Sequence, residues 1–165
     1  MKQSIKQKLL KMAINKVIKD VGLHFLIFPI IINIACSILL SVGMRAFPTS
    51  DRNAIMASDF LTSDFAWPIY VLFFVLMCLV VPWAEEIVFR KWLWGLTVWS
   101  IGDKHALWVT SAVFAFLHGG WYGFALLPMA FYLGWIRRSY GSYRYSTAVH
   151  SVFNLCGLVL IWGGV

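Results

Sequence analysis

The chain has 165 residues, of which 61% are hydrophobic and only 13% charged, and its mean hydropathy is +0.77. That is too little charge to coat a water-facing surface, so an ordinary soluble domain is excluded and lipid is the expected solvent. The net charge of +7 does not signal nucleic-acid binding. Lys2, Lys6, Lys8, Lys11, Lys16 and Lys19 all precede the first apolar run, where lysines flank a membrane span on its inner side.

Residues 1–20 carry Ile5, Leu9, Ala13 and Val17 at helical spacing against those lysines. The pattern fits an amphipathic helix lying on an anionic leaflet and equally a solvated basic tail. Either way this is a cytoplasmic N-terminal segment, and residues 21–165 form the transmembrane domain. Residues 21–44 hold no Asp, Glu, Lys or Arg and make the cleanest span. The run is longer than the apolar core of a signal peptide and lacks a small-x-small end. Asn33 stands where a lipoprotein site before Cys36 would want an aliphatic residue. Cys36, Cys78 and Cys156 each sit alone in apolar sequence and read as small buried residues, not as a disulfide or metal set.

Residues 45–64, with Arg45, Pro48, Asp51, Arg52, Asp59 and Asp64, form a polar loop on the outer side. Apolar sequence resumes at residue 65 and is interrupted by Glu85, Glu86, Arg90 and Lys91. One long helix over 66–100, bending at Pro82 and continuing, brings Lys104 to the inner side as the charge bias requires. Residues 105–136 are too long for one span and are broken by Gly119, Gly120 and Gly123. A hairpin with short arms, enclosed by other helices, returns Arg137, Arg138 and Arg144 to the inner side. Residues 145–165 make the last span. The expected fold is an all-α polytopic membrane bundle of about five transmembrane helices, one of them long and kinked. No repeat or low-complexity segment is present.

Ionisable groups inside a membrane are costly, so each needs a reason. Glu86 and Arg90 are four apart and share a helix face, where they neutralise each other. Glu85 is turned about 100 degrees away, without that arginine, and its carboxylate can serve as a general base. If the helix broke at Pro82, the same charges would be only a collar at a helix end. Phe114 and His118 share a face of the hairpin's first arm. His150 and Asn154 share a face of the last helix, either as an oxyanion site or as polar glue between helices. Counted from the inner helix ends, Glu85 and His118 lie about 22 and 21 Å deep, but His150 only about 9 Å. The mismatch demands that residues 138–147 dip inward or that the long helix tilt strongly.

Three motifs stand in order: Glu85-Glu86-x-x-x-Arg90, Phe114-x-x-x-His118 and His150-x-x-x-Asn154. Together with the link over residues 133–142, Leu-Gly-Trp-Ile-Arg-Arg-Ser-Tyr-Gly-Ser, they resemble the CPBP family over residues 70–160. This is the family of CAAX prenyl endopeptidases and bacteriocin-processing and immunity (Abi) proteins. The resemblance implies an intramembrane endopeptidase acting on a membrane-associated protein or peptide. Glu85 and His118 would activate a water, His150 and Asn154 would hold the oxyanion, and Glu86, Arg90 and Phe114 would position the site. It implies a glutamate-type mechanism with no required metal. Two carboxylates and two imidazoles are nevertheless donors that zinc accepts, although no HExxH is present. The implied partners are the bilayer and the substrate, with no nucleic acid. The span before the long helix stands alone where larger relatives have more helices, so nothing points to a prenylated substrate. Two other readings keep the same residues: a non-catalytic membrane immunity or binding protein, and a small ion pathway, for which no polar path continues across the bilayer.

Overall fold

A computed structural model describes residues 22–46 and 63–162, with residues 12, 15, 19, 20, 59 and 60 besides. The basic segment over 1–20 and most of the polar loop over 45–64 fall outside the described residues. Within them the chain is all-α, with six helices. Helix α1 opens with a widened turn at Leu23–Ile27 and continues as Phe28–Ala46. Helix α2 runs without a break over Trp67–Ile101. Helices α3 (Asp103–Leu117), α4 (Gly120–Ala125), α5 (Leu127–Tyr140) and α6 (Tyr143–Trp162) follow.

Helices α1 and α2 are long and apolar enough to cross a membrane, over Leu23–Val42 and Trp67–Ile101. Only 17% of each such stretch is buried in the protein. A soluble core helix of this composition would be mostly buried, so their apolar faces call for lipid. Trp99 at 84% and Trp67 at 75% exposure show how little protein covers α2.

Helix α2 passes through Pro82 as the charge pattern requires, and local chemistry explains how. Proline offers no N–H, and its ring crowds the carbonyl one turn earlier. The helix widens just before it: over Leu76–Val80 the Val81 N–H bonds the Leu76 carbonyl, five residues back. The widened turn in α1 likewise precedes a proline, Pro29. A further widened stretch covers Ile87–Leu93, on which Arg90 sits.

The hairpin also forms where the glycines place it. Helix α3 ends at Leu117, and Gly119 takes φ of +77°, a region that a side chain strains. The return arm is not one helix. It breaks at Leu126, because Pro128 begins a new helix better than it continues an old one. Gly134 lets α5 lie close against Leu107 and Ser111 of α3. Phe114, Leu133, Ile136, Ala130 and Val149, none more than 1% exposed, centre the core where α3, α5 and α6 meet.

The link between α5 and α6 is what lets His150 reach Glu85. Lys91 Nζ lies over the Tyr143 ring at 5.8 Å, and Arg137 Nε donates to the Arg90 carbonyl at 2.9 Å. Helix α6 therefore starts beside Lys91, well short of the end of α2. That start sets His150 Nε2 3.6 Å from Glu85 Oε2, closer than a count from the helix ends allows.

Candidate active site

Three helices contribute the ionisable cluster. From α2, Glu85 and Glu86 diverge: Glu85 keeps 25% exposure of its side chain, whereas Glu86 has none. Arg90 Nε lies 3.8 Å from Glu86 Oε2, and both side chains are fully buried. Arg90 Nη2 donates to the Ala130 carbonyl at 2.7 Å, which ties α2 to α5. Ser111 Oγ on α3 donates to the same carbonyl at 3.0 Å. Alanine 130 and Ser111 gave no signal in the sequence, since their part is played by backbone and small side chains.

From α3, His118 Nδ1 lies 2.8 Å from the Phe114 carbonyl. A carbonyl only accepts, so Nδ1 carries the hydrogen and Nε2 of the neutral ring presents a lone pair. That Nε2 lies 3.7 Å from Glu85 Oε1. From α6, His150 Nε2 lies 3.6 Å from Glu85 Oε2, and its Nδ1 lies 3.3 Å from Glu86 Oε1. These separations exceed good charge-assisted hydrogen bonds. They describe charges gathered round a small space.

Phe114 supports the cluster from beneath, with no exposure of its own. Its ring meets Phe89 at 5.0 Å, His118 at 4.5 Å and His150 at 5.8 Å, and the Arg90 guanidinium lies 5.1 Å above it. The two imidazoles thus rest against one aromatic platform.

Asn154, one turn beyond His150, is half-buried. Its Nδ2 donates to the Met77 carbonyl of α2 at 2.8 Å. Glu85, Glu86, Arg90, Phe114, His118 and His150 are therefore brought together directly. Asn154 is adjacent along α6, with one amide hydrogen committed to α2. Sequence reasoning missed a second clamp of this kind. Asn33 on α1 is buried, and its Nδ2 donates to the carbonyls of Pro29 at 3.1 Å and Phe153 at 3.0 Å. Its signal was available: a lone amide in an otherwise apolar run.

Among the described residues, no three His, Cys, Asp or Glu side chains converge as metal ligands do. His118 and His150 approach Glu85 separately, from its two oxygens. A groove of about 370 Å³ between α1 and α5, lined by Phe28, Ile32, Pro128, Phe131, Tyr132 and Trp135, is apolar and includes none of the cluster.

Fold and site together define an all-helical protein, two of whose helices can cross a membrane, with two glutamates and two histidines gathered between α2, α3 and α6. Residues 67–156, more than half of the chain, match the family described as type II CAAX prenyl endopeptidase Rce1-like. The chain belongs to that family, known also as CPBP or Abi. An 82-residue stretch is 34% identical to UPF0177 protein YxdF of Lactococcus lactis subsp. lactis (strain IL1403). The stretch covers 48% of this chain and 44% of that protein, so the match spans less than half of the relative's length. No solved structure matches.

Proposed function

We propose that the protein is an intramembrane endopeptidase that hydrolyses a peptide bond of a membrane-associated protein or peptide. The observation that carries this is the Glu85 carboxylate, flanked by His118 Nε2 at 3.7 Å and His150 Nε2 at 3.6 Å. A carboxylate and an imidazole lone pair are both acceptors, so a water between Glu85 and His118 would donate a hydrogen to each. Attack on a carbonyl carbon then passes one proton to Glu85, which later delivers it to the leaving amine. His150 sets its Nδ1 toward Glu86 and its Nε2 toward the space beside Glu85. Its Nε2–H, with the second amide hydrogen of Asn154, supplies the oxyanion site. Glu86 and Arg90 fix His150 and the α2–α5 contact. No step requires a metal.

In this reading the chain crosses the membrane five times: α1, α2, the two arms of the α3–α5 hairpin, and α6. Its N-terminus is cytoplasmic. The clustering of Lys91, Arg137, Arg138 and Arg144 with the α5–α6 link supports that orientation. The bilayer and the substrate are the partners.

The test is cleavage of a panel of membrane-peptide reporters by the full chain reconstituted in vesicles. Glu85→Gln and His118→Ala are each expected to lower turnover by about 100-fold or more with the fold intact. A folded Glu85→Gln variant that cleaves as wild type does would reject the proposed base.

A further inference from the structure

Of the polar atoms near the cluster, the Met77 carbonyl has an unusual history. It lies in the widened turn that precedes Pro82. In a regular helix it would accept from the Val81 N–H, but that group bonds Leu76 instead. In the widened register it would accept from residue 82, five residues on, and residue 82 is proline, which has no N–H. Both backbone donors are thus denied to it. The group that fills the position is Asn154 Nδ2 at 2.8 Å, from a helix 77 residues away in sequence.

We infer that Pro82 is a positioning residue: with the widened turn it creates a backbone acceptor at Met77 that sets the rotation of the Asn154 amide beside the reacting groups. The inference rests on the endopeptidase reading for its catalytic meaning, but not for its geometry. An asparagine amide has two faces that differ only in which end bears hydrogens. A carbonyl acceptor selects the nitrogen end. That leaves the second amide hydrogen with a fixed direction, as an oxyanion donor needs. Without the acceptor, the amide can turn and present its oxygen, which repels a developing negative charge. Asn33 supplies a comparison within the molecule. Its amide is held by the Pro29 and Phe153 carbonyls and, among the described residues, makes no bond to α2.

The experiment returns a backbone donor to Met77. In Pro82→Ala, residue 82 regains its N–H and bonds the Met77 carbonyl, which displaces Asn154. The full chain in micelles, labelled with 15N at asparagine, gives side-chain amide resonances, and Asn154→Gln assigns that of Asn154. In wild type, the Asn33 and Asn154 amides both resist solvent exchange. In Pro82→Ala, Asn154 loses that protection while Asn33 keeps it, which also shows that the variant is folded. Cleavage of a quenched-fluorescent peptide reporter then falls about tenfold to 100-fold in kcat with KM held, as for a misplaced catalytic group. An Asn154 amide that ignores Pro82→Ala overturns the inference. If Pro82→Ala does not fold, 13C-carbonyl methionine in the Pro82 background reads the bond from its other end. Asn154→Leu must move the Met77 carbonyl band to the frequency of a free carbonyl, and an unmoved band refutes the bond. An amide fixed as described in a protein that cleaves nothing removes the endopeptidase reading and leaves the device. Cleavage with an Asn154 amide indifferent to residue 82 does the reverse.

Discussion

Replacing Gly123 with alanine is the sharpest test of how the packing holds the site. A β-carbon there would lie 2.1 Å from the Ala115 carbonyl oxygen, 3.1 Å from its carbon and 3.6 Å from the His118 carbonyl carbon. Carbon and oxygen do not normally approach closer than about 3.3 Å, so α3 and α4 must part by about 1 Å. The obstructing atom is backbone and cannot swing aside. The cost therefore falls near the upper end of overpacking penalties, about 3 kcal/mol. Alanine's helix preference over glycine returns about 0.5–1 kcal/mol, leaving a net loss of about 2 kcal/mol. For a chain of this length that lowers Tm by about 4–8 °C. Gly134→Ala meets Leu107 Cδ1 at 2.7 Å and Ser111 Oγ at 3.0 Å, both side-chain atoms that can move, so its loss is smaller. Gly95→Ala on an exposed side of α2 meets nothing within 4 Å and is expected to be neutral or stabilising. Thermal unfolding of the three variants in one detergent decides the matter. Because the same clash shifts the backbone at His118, Gly123→Ala should also lose turnover beyond its loss of stability. A Gly123→Ala protein as stable as wild type, or a Gly95→Ala protein equally damaged, would refute the packing argument.

Three further outcomes are expected. Arg90→Leu strands the fully buried Glu86 and should cost about 3–5 kcal/mol, whereas the double Glu86→Leu/Arg90→Leu chain should recover much of that; denaturant titration in micelles measures both. Asn33→Leu removes the bond from α1 to the Phe153 carbonyl and should cost about 1 kcal/mol in the same titration, with cleavage retained because no reacting group is touched. Strong chelators added to the vesicle assay should leave cleavage unchanged if Glu85 acts directly as the base, and loss of activity restored by a specific divalent ion would overturn the metal-free mechanism.

Much of the site was legible because costly residues in an apolar sequence stand out. The 100-degree offset between Glu85 and Glu86 foretold their separation: Glu86 turns to Arg90 and one side of His150, and Glu85 turns to His118 and the other side of His150. The break at Gly119 followed from backbone chemistry, and the passage of α2 through Pro82 from the placement of Lys104. The depth of His150 did not, because it depends on the link between α5 and α6 entering beside Lys91. Rise per residue fixes depth only when both helix ends lie at the same surface. The Ala130 carbonyl, which receives both Arg90 and Ser111, was invisible for another reason. Every residue has a carbonyl, and only tertiary packing selects one. Asn33 was legible and was read only against a lipoprotein site, when its rarity in an apolar run argued for a bond between helices.

The exposures within the cluster give it a direction. Glu86 and Arg90 have none and His150 has 2%, whereas His118 keeps 22% and Glu85 25%. The groups proposed to handle the proton thus stand at the open edge, and His150, backed by Glu86 and Arg90, stands behind them. That order suits hydrolysis in lipid. In the proposed mechanism water would reach Glu85 and His118 without wetting the Glu86–Arg90 pair, whose field on His150 would weaken in a high-dielectric surrounding. A peptide entering at that edge in the proposed mechanism would meet Glu85 and His118 first and His150 behind them.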